Sequence, residues 1–215
     1  GTVSGTSISF GTPVEFNSGN NNNMDICFDS SNNKVVIAWE DKGNSEYGTA
    51  IVGTVDPSDN SISFGSAVVF ESAAVEEISI VFDSSNNKVV IAYKDEGNSD
   101  YGTAIVGTVS GTSISFGSAT VFNSGNTRET HSDFDSTNNK VIIGYRDNGN
   151  SSYGTAIVGT VSGTSISFGT EVVFRSGTTN DIYVAHNPDT GTTLFTNHAA
   201  DSVNQGQYRI GSVSG

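Results

Sequence analysis

Three histidines (His131, His186, His198), one cysteine (Cys27) and a scatter of carboxylates are the residues whose types suit chemistry. His131, taken with Asp133 and Asp25, is the one constellation that suits acid–base or metal work. It lacks the positioned nucleophile that covalent catalysis needs and the second histidine at ligand spacing that a zinc site needs. Glu76, Glu77, Glu129 and Asp25 are candidates for the paired carboxylates of glycoside hydrolysis, but the sequence does not set their separation, on which that chemistry depends. The loop Asp41-Lys42-Gly43-Asn44-Ser45-Glu46-Tyr47-Gly48 has copies at 95–102 and 147–154. Its closely spaced carboxylate and amide oxygens suit a hard cation such as Ca²⁺. It lacks the Asp/Asn density of a dedicated calcium loop, and an Asx-type turn explains it equally well. The expectation is no catalytic residue, no resident metal and no cofactor, with Ca²⁺ left open. Cys27, between Ile26 and Phe28, reads as a buried strand thiol, and one cysteine makes no internal disulfide.

These residues sit on a repeat. Gly53-Thr54-Val55 returns at Gly107 and Gly159, the chain opens on Gly1-Thr2-Val3, and it closes on Gly211-Ser212-Val213; the spacings are 52, 54, 52 and 52 residues. Each repeat holds four strand-like runs. In the second these are Ile78 to Phe82, Lys88 to Tyr93, Thr103 to Val109, and Ser113 onward, separated by Asp/Ser/Asn/Gly clusters. Period-two alternation bounded by such clusters predicts antiparallel strands and hairpins. Val35, Ile37 and Trp39 alternate with Val36 and Ala38, so both faces of the second strand are apolar, as expected of a sheet held between two others.

Four antiparallel strands at a period near 50 predict an all-β fold: a four-bladed β-propeller of four-stranded antiparallel blades, one domain over 1–215. The N-terminal run Ser7 to Phe16 is expected to complete the last blade beside Gln207 to Val213 and so remove an open sheet edge. An open β-array, or part of a larger propeller, satisfies the same count.

The segment Phe82 to Gly117 (FDSSNNKVVIAYKDEGNSDYGTAIVGTVSGTSISFG) resembles tandem propeller-like repeats of marine bacteriophage tail-fibre and surface proteins and of bacterial extracellular proteins. The resemblance covers the first three repeats well and the fourth weakly, where the loop reads Ala199-Ala200-Asp201-Ser202-Val203-Asn204-Gln205-Gly206. It implies an extracellular or virion-surface location and a binding role, and brings no catalytic residues. The Ser-x-Asp-x-Gly-x-x-Trp box of sialidase-like propellers is missing.

The repeats vary unevenly. Strands two to four are near copies, whereas 17–27, 71–81, 122–132 and 174–184 differ, and so do the ends of the second-to-third-strand loop. Glu40, Lys94, Arg146 and His198 share one position; Asp25, Ser79, His131 and Tyr183 share another. Sign changes at one position read as a face shaped to a partner rather than one repeated contact; free loop drift is the alternative. The candidate ligand-binding face comprises Asp25, Glu40, Glu76, Glu77 and Lys94, then Arg128, His131, Arg146, Tyr183 and His198, with Tyr47, Tyr101 and Tyr153 placed to stack on a sugar or pack on their own hairpins.

With 23 acidic and 9 basic residues, the formal charge of −14 opposes phosphate backbones and anionic lipid. No run approaches the roughly 18 apolar residues of a membrane span. The chain lacks a starting Met and a signal peptide, which reads as a mature, processed or excised fragment. The expected function is non-catalytic recognition or adhesion toward a cell-surface glycan or protein, without nucleic acid or membrane insertion, within a larger multidomain or multimeric assembly. A structural spacer, or a glycan-cleaving enzyme, is the alternative.

Overall fold

The computed structural model describes residues 1–201 and 204–214. Ser202 and Val203 of the divergent fourth loop, and Gly215, lie outside the described residues. The N-terminal arm forms a hairpin, β1 (Thr2–Ser4) with β2 (Ser7–Ser9). Module 1 follows with β3 (Asn21–Asp29), β4 (Lys34–Asp41), β5 (Tyr47–Asp56) and β6 (Ser61–Phe64). The long β7 (Val68–Asp83) ends module 1 and begins module 2, which continues with β8 (Lys88–Asp95), β9 (Tyr101–Ser110) and β10 (Ser113–Phe116). Then β11 (Thr120–Asp135) begins module 3, with β12 (Lys140–Asp147), β13 (Tyr153–Ser162), β14 (Ser165–Phe168) and β15 (Val172–Arg175). Module 4 has β16 (Thr179–Asn187), β17 (Thr192–Ala199) and β18 (Gln205–Gly211).

Each module is an antiparallel meander whose turn chemistry recurs. Between strands one and two, Asp29, Asp83 and Asp135 accept the backbone N–H groups two and three residues on, and Asn33, Asn87 and Asn139 take left-handed φ of 52°, 53° and 56°. Asparagine tolerates that region at little cost, which is why the Asn-Asn pair ends these three turns; in module 4 Gly191 takes the place, with φ of 65°. β7 and β11 each pair with one module through their first half and the next through their second, so thirteen strands form one continuous ladder.

The modules stack face against face. Val36, Ala38 and Val52 on the back of module 1 meet Ile80, Val89 and Ile91 on the front of module 2. Val90, Ala92 and Val106 meet Val141, Ile143 and Ile157 in the same way, and Ile142 meets Val184 and Phe195. Both faces of the inner sheets are therefore core, as the double apolar pattern of strand two required. Burying each of the valine, isoleucine and phenylalanine side chains contributes about 1.5–3 kcal/mol.

The expectation of a closed four-bladed propeller is overturned. Among the described residues the strands form three open sheets of 2, 13 and 3 strands, and no closed arrangement joins the ends. Ser7 to Ser9 pairs with Thr2 to Ser4 across a turn at Gly5, while β18 pairs with β17 alone. A local hairpin closes a loop of a few residues; pairing with β18 would close one of about two hundred, at greater entropic cost. Module 4 has three strands among the described residues. Among the described residues the helical elements are three-residue turns, and no helix is long and apolar enough to cross a membrane.

Candidate functional site

Strand one carries an irregularity in every module. The ladder shifts register between Asn22 and Asp25, Glu76 and Ser79, Arg128 and His131, and Asn180 and Tyr183. At the centre of each shift Asn23, Glu77, Glu129 and Asp181 take left-handed φ of 42°, 52°, 53° and 49°. A bulge re-aims its side chain and frees a backbone group, and here both are used across modules. Glu77 Oε2 accepts the Glu129 N–H at 3.0 Å, and Glu129 Oε2 accepts the Asp181 N–H at 3.0 Å. One step along the strand the bond recurs with different acceptors: Asp25 Oδ2 takes the Ile80 N–H (2.9 Å), Ser79 Oγ that of Ser132 (2.9 Å), and His131 Nδ1 that of Val184 (3.2 Å). The variable position is thus a module-to-module hydrogen bond whose acceptor differs each time.

Beside the bulges, the end of strand two supplies the charges. Lys94 Nζ lies 2.7 Å from Glu76 Oε2, 2.9 Å from Glu96 Oε1 and 3.5 Å from Asp100 Oδ1. Burial alone would lower its pKa, but the bonds to Glu76 and Glu96 outweigh that and hold it above the ordinary lysine value. Arg128 lies 3.7 Å from both Glu76 and Glu77, Arg146 lies 3.7 Å from Glu129 and bonds Asn180, and His198 lies 3.6 Å from Asp181. Burial, then the neighbouring Glu129, pushes the Glu77 carboxyl up. These groups form one stripe of alternating sign along the loop edge of the stack. It contains Glu40, Glu76, Glu77, Lys94, Arg128, Arg146 and His198 from the sequence reading.

The sign change between modules 1 and 2 is explained by a local contact. In module 1 Glu40 pairs with Lys42 at 2.7 Å; in module 2 Lys94 pairs with Glu96 at 2.9 Å. The same two positions make the same contact with the charges exchanged. Both Glu40 and Lys94 are buried, at 2% exposure each, so they present little to a ligand. Asp181, Lys42 and Glu96 are exposed, and Arg128 and Glu76 are half-buried.

The remaining candidates divide. Asp25 and His131 lie on the back of strand one among the inter-module bonds. Burial pushes the His131 imidazole down, against the opposing charges of Asp25 and Asp133. Its Nδ1 is engaged by Val184, and its ring meets Tyr183 edge-on at 5.2 Å. Tyr183 is exposed on the open back of module 4. Tyr47, Tyr101 and Tyr153 are half-buried opposite Asp41, Asp95 and Asp147 at the mouth of each loop. Those aspartates accept backbone N–H groups of their own loops at 3.1, 3.1 and 3.2 Å, the Asx-type geometry. Among the described residues no group of three or more His, Cys, Asp or Glu side chains is placed to hold a metal ion. Sequence reasoning missed Asn23 and Asp181 as members of the stripe. The signal available was a run of Asn, Glu, Glu and Asp at one repeat position, two residues before the variable acceptor.

No family model matches the chain, and no curated protein matches it.

Proposed function

We propose that the protein is a non-catalytic recognition module, displayed on a virion fibre or cell surface, that takes a glycan or surface protein along the charged stripe. The observation that carries this reading is convergence: unlike side chains of modules 2, 3 and 4 pair along one edge, and Glu40 and Lys42 pair at the same repeat positions of module 1. Guanidinium and carboxylate groups at short spacing match the hydroxyl groups of a glycan or the mixed charges of a polar protein surface. Individual contacts would be weak, and display in many copies would supply avidity. Glu77 and Glu129 already accept backbone N–H groups, which supports binding over cleavage.

A glycan array probed with the full chain, beside Arg128→Ala and Glu76→Gln, tests this. The expected result is a reproducible hit that the variants weaken together. An array without reproducible hits, with equally silent cell-surface binding, sinks it. A spacer is the second reading, favoured by the burial and internal pairing of Glu40 and Lys94; it predicts that silence.

A further inference from the structure

The two ends of the stack are unlike. On the front of module 1, Met24, Ile26 and Phe28 are 54%, 57% and 55% exposed, whereas their counterparts Ile78 and Ile80 in module 2 are 8% and 5% exposed. On the back of module 4, Tyr208 and Ile210 are 66% and 64% exposed, whereas their counterparts Ala104 and Val106 are fully buried. Each end is one half of an interface that the chain forms three times internally. The molecule itself therefore shows what covers such a front: a back of the same construction.

The N-terminal arm sharpens this. Phe16 sits 5.1 Å from Trp39 and 6.1 Å from Phe64, ring to ring. Phe70 stands in the same relation to Tyr93 and Phe116 (5.3 and 5.8 Å), and Phe122 to Tyr145 and Phe168 (5.2 and 5.7 Å). Phe70 and Phe122 belong to the fourth strand of the preceding module, packed on the next. Gly11 likewise lies against the Asn60 carbonyl as Gly65 lies against that of Thr112 and Gly117 against that of Thr164. The arm thus occupies the place of a fourth strand on the front of module 1, with Ile8 and Phe10 exposed.

Module 4 presents the complement: among the described residues it has three strands and no fourth. Beside it runs an apolar cleft of about 600 Å³, walled by Ile142, Ala156 and Val158 of module 3 and by Phe195, Gly211 and Val213. At the equivalent place between modules 1 and 2, Ile114 and Phe116 of β10 pack into the core. Ile8 and Phe10 are the repeat counterparts of those two residues.

We propose that copies of this chain associate head to tail, the back of module 4 in one copy covering the front of module 1 in the next, with the arm of the second running as the missing fourth strand of the first. The arm's present pairing, Thr2 with Ser9, Val3 with Ile8 and Ser4 with Ser7, is replaced by Ser212 with Ser9, Val213 with Ile8 and Ser214 with Ser7. The displaced and incoming segments are near-identical, Gly-Thr-Val-Ser against Gly-Ser-Val-Ser, so backbone bonds are exchanged like for like. Because front and back differ, the contact is heterologous and extends into chains or rings rather than stopping at a symmetric pair.

Sedimentation velocity of the full chain over a wide concentration range tests this, together with Ile26→Arg (front blocked) and Ile210→Arg (back blocked). Both positions are solvent-exposed in the single chain, and circular dichroism is the check that the variants fold. The wild type is expected to grow in mass with concentration, each variant alone to remain a monomer, and their mixture to form dimers and nothing larger. In a chain carrying Ser9→Cys with Ser212→Cys, oxidation is expected to link separate copies. A wild type that stays monomeric, an oxidised bond confined to one chain, association that survives undiminished in either blocked variant, or a mixture that forms no dimer each overturns the proposal.

Discussion

Replacing Asp135 tests how far one buried carboxylate holds the repeat together. Asp135 is fully buried at the first turn of module 3. It accepts the N–H groups of Thr137 (2.9 Å) and Asn138 (2.9 Å) and the Asn138 side-chain amide (2.8 Å), with His186 Nε2 of the next module 3.3 Å away. A hydrogen bond to a charged group contributes about 1.5–3 kcal/mol net, and the donors here sit on a surface turn where water recovers part of the loss. Asp135→Ala is therefore expected to cost about 2–3 kcal/mol, and Asp135→Asn, which keeps one acceptor oxygen, about half of that. The bonds to Asn138 and Thr137 and the charge of His186 outweigh burial and hold the carboxyl below the ordinary aspartate range. A depressed folded-state pKa contributes stability that is present above the unfolded value, about 3.9, and is lost as pH falls through the folded one. The gap between wild type and Asp135→Asn should consequently be present at neutral pH and shrink once pH falls below about 3.9 and the carboxylate protonates. Urea unfolding followed by far-ultraviolet circular dichroism, at neutral pH and stepwise into acid, measures this. A loss under about 0.5 kcal/mol for Asp135→Ala at neutral pH, or a gap that stays undiminished well below the carboxylate value of about 3.9, refutes the reasoning.

Gly117→Ala would drive a methyl into the Thr164 carbonyl and is expected to cost about 1–3 kcal/mol, whereas Gly169→Ala, whose nearest neighbour is the Val158 carbonyl at 3.8 Å, should be close to neutral in the single chain; urea midpoints compare the two. Lys94→Glu sets a carboxylate among Glu76, Glu96 and Asp100 and should destabilise by about 3 kcal/mol, and adding Glu96→Lys, which restores the module 1 arrangement, should recover part of it by the same assay. Cys27, pushed up to about 12 by burial and by the charges of Asp25 and Asp29, should resist alkylation at mildly alkaline pH in the native chain and label rapidly in denaturant, read by mass spectrometry.

Composition, turn residues and period-two alternation determined the strands, the modules and the double-sided core by themselves. These are local properties: Asn at a left-handed turn position, or Val alternating with Ile along a strand, carries its consequence within a few residues. The shared edge of Lys94, Arg128 and Arg146 also followed from the repeat register, because equivalent positions occupy equivalent places. Two things were decided only in three dimensions. The exchanged pairs Glu40–Lys42 and Lys94–Glu96 turn a sign change into one conserved contact, since what matters is which side chains approach within a few ångströms. Whether the ends met was the other. The pairing preferences of Ser7 to Phe16 fit its neighbour β1 and the distant Gly211 to Ser214 alike, and the short hairpin prevails because it closes the smaller loop.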